Sequence, residues 1–408
     1  MYYFRLIESL IESQTSKNKI KLLLGPRQTG KSTLLKHLLP PSGKWINLQE
    51  GSARTQYEAR PHVFSEQLQG HEKNKKNQLT VIVDEIQKVP PLLDEVQYLF
   101  DQSPKDYNFY LTGSSARKLR SHSANLLPGR SHVFHLSPLT LWETAEKDTS
   151  LILPSPIQTR QKKFPKSSIA QKLLFGSLPG IYLEKPESQK LSLRGYVELY
   201  LEEEIRREGV IKDIGPFHRF LELAALESGN IMNLTKLSNE SGIAITTIRH
   251  YYQVLIDTFM GYWMDPYITR DRKRLLTTPR FYMFDLGVRN AAAKLPLNED
   301  LITLHGGHLI EHWVGLELIH RTQLLGPEYQ TYFWKTKSGA EVDFILKTPN
   351  EVIPIEVKWT DKPTLQDGRH LRTFMEHEKK AQRGYIVCRV PEIRKLDTHI
   401  WAIPWNCL

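Results

Sequence analysis

The chain has 408 residues, of which 40% are hydrophobic and 25% charged, with a formal net charge of +10. This composition excludes a disordered or fibrous protein, and the length favours two to four globular domains. No stretch approaches the roughly 18 apolar residues of a membrane-spanning helix, and residues 1–10 lack the basic start of a signal peptide. We therefore expect a cytoplasmic protein without a membrane partner. The positive charge favours polyanionic partners such as nucleic acid.

Two cysteines, Cys388 and Cys407, are the only thiols in the chain. They form no metal-ligand spacing and are too few for a disulfide framework, which suits a reducing compartment. Redox chemistry is therefore not expected.

Residues 1–147 alternate short apolar runs with helix-like segments. A parallel sheet flanked by helices gives this pattern, because its strands are buried on both faces. We therefore predict an α/β domain with strands at residues 20–24, 45–48, 81–84, 109–112 and 133–136.

The composition changes further along the chain. Residues 148–168 are rich in Pro, Ser, Lys and Gln, and their prolines block regular structure, so we interpret them as a linker. Residues 169–214 have helical periodicity and are predicted to form a helical lid. Residues 215–278 hold three further helical periods, and residues 279–408 return to the strands and helices of a second α/β domain.

Residues 25–32 read G-P-R-Q-T-G-K-S and directly follow the first predicted strand. In this P-loop pattern, glycines let backbone N–H groups surround phosphates, and the next helix points its positive end at them. Lys31 is predicted to reach the β- and γ-phosphates of ATP, and the hydroxyl of Ser32 to bind Mg²⁺. The predicted ATP-binding loop comprises Gly25, Pro26, Arg27, Gln28, Thr29, Gly30, Lys31, Ser32 and Thr33.

The third predicted strand ends in Asp84 and Glu85. An acid at this place completes the magnesium site of a P-loop ATPase, so Asp84 is predicted to be a Mg²⁺ ligand together with Ser32. Glu85 is predicted to polarise the attacking water. A small-molecule kinase is the alternative, but two adjacent acids favour hydrolysis over transfer to a bound acceptor.

The chain resembles a prokaryotic family of AAA+-type ATPases over nearly its whole length. Members of that family read G-P-R-Q-[TV]-G-K-[ST] and D-E-[IV]-Q, then L-T-G-S-S-A-R and L-P-G-R, and all four motifs occur here. The resemblance continues through residues 175–180, F-G-S-L-P-G, and residues 200–205, Y-L-E-E-E-I. It implies an AAA+ P-loop sheet with a helical lid.

This resemblance also implies roles for residues after the fourth strand. AAA+ proteins place a polar residue that senses the γ-phosphate there, which is Thr112 or Ser114 in this chain. Arg130 lies where these proteins carry an arginine finger into the neighbouring subunit, which predicts a homo-oligomer, a hexameric ring. Arg117 is a rival finger, and Arg130 is alternatively a surface residue on a tight turn.

The C-terminal part contains acids with informative spacing. Asp343 lies on one predicted strand, and Glu356 and Lys358 lie on the next. Strand alternation puts Glu356 and Lys358 on one face, so Asp343 and Glu356 would share a Mg²⁺ ion with Lys358 beside it. The metal would activate a water and neutralise a phosphate, while Lys358 would orient that water or stabilise the developing charge.

This arrangement resembles the PD-(D/E)xK nuclease superfamily, a restriction-endonuclease-like fold. Its core begins with a helix that often adds an acid, which corresponds to Glu311 here. The resemblance implies Mg²⁺-dependent DNA cleavage by Glu311, Asp343, Glu356 and Lys358, with Mn²⁺ as an alternative metal. Val342 replaces the proline of the motif, so an inactive platform that only holds DNA or protein is the competing interpretation. A third is ordinary polar alternation on an amphipathic strand pair.

Residues 233–252 read as helix, Gly-containing turn and helix, like a winged-helix DNA reader. The second helix of that motif enters the major groove, so the candidate DNA contacts are Thr246, Thr247, Arg249 and His250, with Leu255, Ile256 and Phe259 in the core. The run of residues 270–274, R-D-R-K-R, is either a wing that contacts phosphate or a solvated hairpin tip. A helical bundle packed on the lid is the alternative to a DNA reader.

Together these observations predict an ATPase of residues 1–147, a linker 148–168, a lid 169–214, a winged-helix-like domain 215–278 and a nuclease-like domain 279–408. The predicted function is ATP hydrolysis coupled to DNA binding and DNA cleavage. The alternative is an ATP-switched regulator or remodelling factor whose nuclease-like platform is inactive.

Overall fold

A computed structural model describes residues 2–13, 16, 18–70, 78–115, 117, 127–144, 157, 169–201, 214–268 and 278–408. The chain divides into two compact units. The first comprises Met1–Ser137 and Asp257–Met260, and the second comprises Pro138–Ile256 and Gly261–Leu408. The finer division into five segments stays a prediction.

The first unit is built on a five-stranded sheet. All of its neighbouring strands are parallel, in the order β2-β3-β4-β1-β5. The predicted parallel sheet is therefore confirmed, with strand ends displaced by one or two residues. The strands are β1 Ile20–Leu24, β2 Lys44–Asn47, β3 Leu79–Asp84, β4 Tyr107–Gly113 and β5 Ser131–His135.

Helices flank this sheet because each has an apolar face to bury. In α5, the buried residues Leu92, Leu93, Val96, Leu99 and Phe100 recur at helical spacing. They join the core formed by the buried strands and by Phe64. The helices of this unit are α1 Ile7–Ile11, α2 Lys31–Leu38, α3 Gly51–Ala59, α4 Val63–Gln69 and α5 Leu92–Gln102.

The predicted lid region of the second unit is helical where the structure describes it. Its helices are α6 Ile169–Phe175, α7 Pro179–Tyr182 and α8 Pro186–Gly195, and α8 continues as a π-helix over Tyr196–Leu201. The predicted linker lies outside the described residues except for Ile157.

A turn between α6 and α7 explains the F-G-S-L-P-G motif. Gly176 has φ +69°, and a Cβ atom there would lie 2.1 Å from Oδ1 of Asp285. The same Asp285 carboxylate accepts a hydrogen bond from the backbone N–H of Ser177 at 2.7 Å and caps α12, Leu286–Ala292, through Val288 N–H at 3.0 Å. Asp285 therefore joins two segments more than one hundred residues apart and leaves no room for a side chain at position 176.

Three helices and a strand pair follow. The helices are α9 Ile214–Leu226, α10 Leu234–Ser241 and α11 Ile245–Asp257, and β6 Gly261–Met264 pairs antiparallel with β7 Arg280–Met283. An isolated bridge between Ile231 and Arg280 adds a third chain segment beside β7.

The predicted DNA contacts and core residues of α11 differ in exposure, and Ile256, predicted to be in the core, is half-buried. Thr246, Arg249 and His250 are exposed and Thr247 is half-buried, whereas Leu255 is buried. Phe259 lies in the first unit and packs against its core. The basic run of residues 270–274 lies outside the described residues.

The C-terminal part has the order helix, three strands, helix, strand. The helix α13, Glu299–Leu325, precedes β8 Gln330–Lys335, β9 Glu341–Lys347 and β10 Val352–Val357, which form an antiparallel meander. After α14, Arg369–His377, the strand β11 Gly384–Cys388 runs parallel to β10. The short strand β12 Arg394–Lys395 and β13 Ile400–Pro404 complete the sheet, whose order is β12-β13-β11-β10-β9-β8.

Both cysteines are buried free thiols. None of the helices in the described ranges combines the length and the apolar character that a membrane crossing requires.

Candidate functional site

The predicted phosphate loop lies at the carboxyl end of β1, where the chain turns sharply into α2. Gly25 is required because a Cβ atom at this position would lie 2.4 Å from the carbonyl oxygen of Leu136. Gly30 has φ +90° and precedes the first residue of α2, Lys31. The ammonium of Lys31 donates to the carbonyls of Gly25 at 3.0 Å and Pro26 at 2.8 Å. The loop therefore curls around the lysine that is predicted to bind phosphate.

The other predicted loop residues differ in exposure. Thr29 is buried and donates its hydroxyl hydrogen to the Pro26 carbonyl at 2.9 Å. Arg27 is half-buried, whereas Gln28 and Thr33 are exposed. Thr29 therefore braces the loop from inside.

A buried arginine clamps this loop, and the sequence reasoning missed it. Arg5 donates to the carbonyl of Thr29 at 2.7 Å and to the carbonyl of Ser137 at 2.7 Å. The Glu8 carboxylate accepts from the backbone N–H of Arg5 at 2.6 Å. No motif marks Arg5, because its partners are backbone atoms far along the chain.

The side chains of Ser32 and Asp84 are in contact. The Ser32 hydroxyl lies 2.8 Å from Oδ2 and 3.0 Å from Oδ1 of Asp84, although the residues come from α2 and β3. A hydroxyl and a carboxylate oxygen are both Mg²⁺ ligands. The fold thus juxtaposes the two side chains that were predicted to hold the ion.

Thr112, at the end of β4, connects the two neighbouring acids. Its hydroxyl donates to Oδ1 of Asp84 at 2.6 Å and accepts from the backbone N–H of Glu85 at 2.8 Å. Glu85 has φ +64° and ψ +48°, a left-handed conformation that is uncommon for a residue with a side chain and concentrates at functional sites. Thr112 therefore fixes the backbone at the predicted catalytic acid.

The carboxylate of Glu85 has two side-chain partners. Gln87 donates to it at 2.5 Å and to the hydroxyl of Ser114 at 2.8 Å, and Ser114 donates to it at 3.1 Å. Thr112 contacts Asp84 and Ser114 contacts Glu85, so both predicted candidates for the γ-phosphate sensor lie next to the acids. Gln87 belongs to the D-E-I-Q motif, which assigns it no role, and only its hydrogen bonds identify it as part of the site.

Arg130 lies at the opposite end of the sheet from the phosphate loop. Its carbonyl accepts from the backbone N–H of Ile20, the first residue of β1, at 2.9 Å. Its guanidinium contacts the Asp101 carboxylate at 2.5 Å, and both side chains are exposed. A five-residue strand spans about 16 Å, so Arg130 does not reach the phosphate loop of its own chain. Arg117 is half-buried and follows the other end of β4, beyond Ser115.

A second group of charged residues, here called the acidic cluster, comprises Glu311, Glu341, Asp343 and Glu356. Asp343 on β9 accepts from the backbone N–H of Val357 at 2.8 Å, which ties it to the end of β10. Lys358 donates to Glu356 at 2.6 Å. The predicted residues on the two strands are therefore neighbours.

Arg280, the first residue of β7, enters this cluster. Its side chain is 4% exposed and donates to Glu311 at 3.1 Å and also to Glu341, which accepts a further bond from Lys335 at 2.6 Å. The guanidinium lies over the Phe333 ring, 4.8 Å from its centroid. Sequence reasoning missed Arg280 and Glu341. Strand alternation could have identified Glu341, because it shares a face with Asp343.

The acids of the cluster affect one another electrostatically. Burial, and then the charge of Asp343, raises the pKa of Glu356 to about 8 and the pKa of Glu311 to about 7. Burial also raises the pKa of Asp343. Although burial opposes it, the hydrogen bonds and charges of Lys335 and Arg280 hold the pKa of Glu341 below its usual value.

The fit of the acidic cluster to a metal ion is partial. Glu356 is 6% exposed, and its Oε2 atom has no hydrogen-bond partner among the described residues, as an unfilled ligand would. Within the same ranges, however, no three His, Cys, Asp or Glu side chains are arranged to hold a metal ion. Glu311 and Glu341 point to Arg280, and Glu356 points to Lys358.

Three family models match successive parts of the chain. An AAA domain matches residues 17–145, and two domains of unknown function, DUF8612 and DUF4143, match residues 166–299 and 306–408. Residues 17–145 are an AAA domain with the P-loop ATPase fold. This AAA domain contains the phosphate loop, Asp84, Glu85, Thr112 and Ser114.

Relatives are similar along most of the chain. An uncharacterized protein of Mycobacterium tuberculosis is 24% identical over 358 residues, which cover 87% of this chain and 73% of that protein. An uncharacterized protein of Haemophilus influenzae is 23% identical over 374 residues, which cover 88% of each. A solved structure, the Walker-type ATPase of Pyrococcus abyssi, aligns with 70% of this chain and 94% of its own, with 17% identity and a TM-score of 0.46.

Proposed function

We propose that the AAA domain binds MgATP and hydrolyses it. The contact of Ser32 with Asp84 carries this proposal, because it assembles the two side chains that would hold Mg²⁺ beside the phosphate loop. The ammonium of Lys31 donates hydrogen bonds to loop carbonyls in this structure. When ATP binds, it would donate to phosphate oxygens instead. The bound Mg²⁺ would neutralise charge on the β- and γ-phosphates.

Glu85 is the residue that would orient and polarise the attacking water. Gln87 and Ser114 fix its carboxylate, and Thr112 fixes its backbone. Positioning of this kind accounts for much of the rate in phosphoryl transfer, since the protein performs little covalent chemistry. Ser114 would sense the γ-phosphate through Glu85, and Thr112 through Asp84.

The test compares ATP turnover with binding of MgATP. Lys31→Ala and Asp84→Asn should weaken binding and abolish turnover, while Glu85→Gln should retain binding and lose about a hundredfold in turnover. Lys36→Ala removes a cation from the same helix, where it lies over the Trp45 ring, and serves as the matched control. Normal turnover in Glu85→Gln would contradict the assigned role.

Assembly into a homo-oligomeric ring, most simply a hexamer, would give Arg130 a partner site. Its place at the far end of its own sheet separates it from the phosphate loop of its own chain, which is compatible with a role across an interface. Arg130→Ala should then bind ATP but not hydrolyse it. Mixing it with Lys31→Ala subunits, which retain the arginine, should restore some turnover. Unchanged turnover in Arg130→Ala would remove this residue from the site and leave Arg117.

The second candidate function is Mg²⁺-dependent DNA cleavage, with Mn²⁺ as a substitute metal. It is supported by the proximity of Glu311, Asp343, Glu356 and Lys358 in a fold of helix, three strands, helix and strand. Two acids would hold the ion, and Lys358 would stabilise charge on the phosphate. DNA would be positioned by a winged-helix-like arrangement of α9, α10, α11 and the β6–β7 pair, through the exposed face of α11.

An ATP-switched platform without nuclease activity is favoured by one observation. Arg280 forms ion pairs with two acids of the cluster, so these acids already have a cation from the chain itself. A platform of this type would hold DNA or protein and respond to the nucleotide state of the AAA domain.

Cleavage assays distinguish these two functions. The protein is incubated with Mg²⁺ or Mn²⁺ and linear, nicked, circular or single-stranded DNA, and compared with Asp343→Ala and Lys31→Ala. A nuclease should lose all cleavage in Asp343→Ala. If the protein binds DNA but cleaves none of these substrates with either metal, the C-terminal part is a platform without nuclease activity.

A further inference from the structure

Every acid of the acidic cluster has a hydrogen-bond donor from the chain. Glu311 binds Arg280, Glu341 binds Arg280 and Lys335, Glu356 binds Lys358, and Asp343 binds the Val357 N–H. Among these donors, Arg280 alone bridges two acids from different elements, α13 and β9. It therefore neutralises charge in the way that a shared metal ion would.

We propose that Arg280 is a tethered counter-cation that keeps a divalent cation out of the acidic cluster. The inference rests on the proposed platform without nuclease activity, because acids that Arg280 keeps free of divalent ions would not support Mg²⁺-dependent cleavage. A divalent ion and the guanidinium compete for the carboxylates of Glu311 and Glu341.

The position of Arg280 is built into the fold. It lies in β7, paired with Met264 of β6 and bridged to Ile231, so its backbone is held from two sides. The Phe333 ring supports the guanidinium, and the Tyr282 hydroxyl lies 3.4 Å from it. Arginine suits this place because its planar fork can serve two carboxylates at once, whereas the ammonium of lysine acts as a point charge.

One carboxylate oxygen of Glu356 indicates which kind of ligand the acidic cluster could bind. Its Oε2 atom is buried and has no partner in the described ranges, and Asp343 and Glu311 both act on this carboxylate electrostatically. Without the guanidinium, Glu311 and Glu341 would lose the cation that they share, while Asp343 and Glu356 would remain close to them. A small hard cation with oxygen ligands meets that need.

The test measures Mn²⁺ binding by electron paramagnetic resonance in the full chain without nucleotide. All variants carry Asp84→Asn, so that the AAA domain does not contribute a Mn²⁺ site. We expect Arg280→Gln to bind one additional Mn²⁺ about tenfold or more tightly than the parent does. Adding Asp343→Asn should remove this gain.

Arg289→Gln is the matched control. Arg289 is also 4% exposed, but it donates to the carbonyls of Ala225 and Leu226 instead of to acids. Its replacement should leave Mn²⁺ binding as in the parent. Equal binding in the parent and Arg280→Gln, or a gain that survives Asp343→Asn, would overturn the proposal.

Arg280→Lys keeps the test decisive if Arg280→Gln does not fold. The ammonium retains the positive charge without bridging both acids, so Mn²⁺ should bind about threefold or more tightly than in the parent. Unchanged affinity would again overturn the proposal. The outcome is independent of cleavage, since a platform without nuclease activity would still show the gain in Mn²⁺ binding.

Discussion

Thr112 donates its hydroxyl hydrogen to Asp84 across a distance of 2.6 Å. The contact follows from topology, because β4 lies between β1 and β3 in the sheet. A side chain at the end of β4 is therefore close both to the acids that end β3 and to the loop that follows β1.

Thr112→Val keeps the shape of the side chain and removes its hydroxyl. The buried N–H of Glu85 then lacks its acceptor, which should destabilise the first unit by about 1–3 kcal/mol. ATP turnover should fall about tenfold or more, because Asp84 and Glu85 lose their common partner. Chemical unfolding and steady-state hydrolysis measure the two effects. Thr80→Val, at the start of β3, is the control, and an equal loss there would show that the position of Thr112 has no special importance.

Gln87→Leu tests how Glu85 is positioned. Glu85 should keep its hydrogen bond from Ser114 and lose the one from Gln87, so the carboxylate becomes less well oriented. Turnover should fall about tenfold to a hundredfold while the dissociation constant for MgATP stays within about threefold. Calorimetry and hydrolysis assays on one preparation separate these quantities. Weaker ATP binding with normal turnover at saturation would argue against a positioning role.

Gly176→Ala should destabilise the second unit strongly. The added Cβ atom would strike the Asp285 carboxylate, and the left-handed backbone adds strain. Gly242→Ala provides a matched control, because Gly242 has nearly the same φ, +70°, but open space around its Cβ position. Both variants carry the backbone cost of about 1 kcal/mol, and Gly176→Ala should lose about 1–3 kcal/mol more in chemical unfolding. Equal losses would show that Asp285 moves away without cost.

Lys172 should make stability depend on alkaline pH. Burial lowers the pKa of the Lys172 ammonium from its usual 10.5 to about 8, against the charges of Glu317, Glu143 and Asp285. The unfolded chain therefore binds the proton of Lys172 more tightly than the folded chain does. The destabilisation of the folded state by the buried charge is complete below pH 8 and disappears as the pH rises to about 10.5. Relative to Lys172→Met, the free energy of unfolding of the parent should rise by up to about 3 kcal/mol over this interval.

The matched control for Lys172 is Lys185→Met, which removes an exposed lysine from the same region. Urea unfolding at several pH values should give the parent and Lys185→Met parallel curves. A parent curve that falls relative to Lys172→Met between pH 8 and 10.5 would have the wrong sign for a lowered pKa.

The parallel sheet was predictable from sequence because its buried strands are short apolar runs separated by helical periods. The phosphate loop was predictable because its sharp turn requires glycine at positions such as Gly25, which leaves a recognisable glycine spacing in the sequence. In the acidic cluster, Glu356 and Lys358 were predictable as neighbours because strand alternation places them on one face, and Asp343 was predictable because its strand was expected to pair with theirs.

Contacts between distant segments were not predictable in this way. Arg280 is 61 positions from Glu341 in the chain, and no local period connects them. The role of Gln87 depends on the left-handed backbone conformation of Glu85. The sequence gives no sign of this conformation, because it is uncommon for a residue other than glycine. Asp285 reads as a helix cap, and its contact with Gly176 appears only in the packed structure.

Arg5 has a practical consequence for work on the isolated AAA domain. The family match begins at residue 17, whereas the side chain that holds Thr29 and Ser137 comes from residue 5. A fragment expressed from residue 17 would leave two buried carbonyls without their donor and release one wall of the phosphate loop. Low nucleotide affinity of such a fragment would then reflect where it was cut, and fragments should begin upstream of Tyr2-Tyr3-Phe4-Arg5.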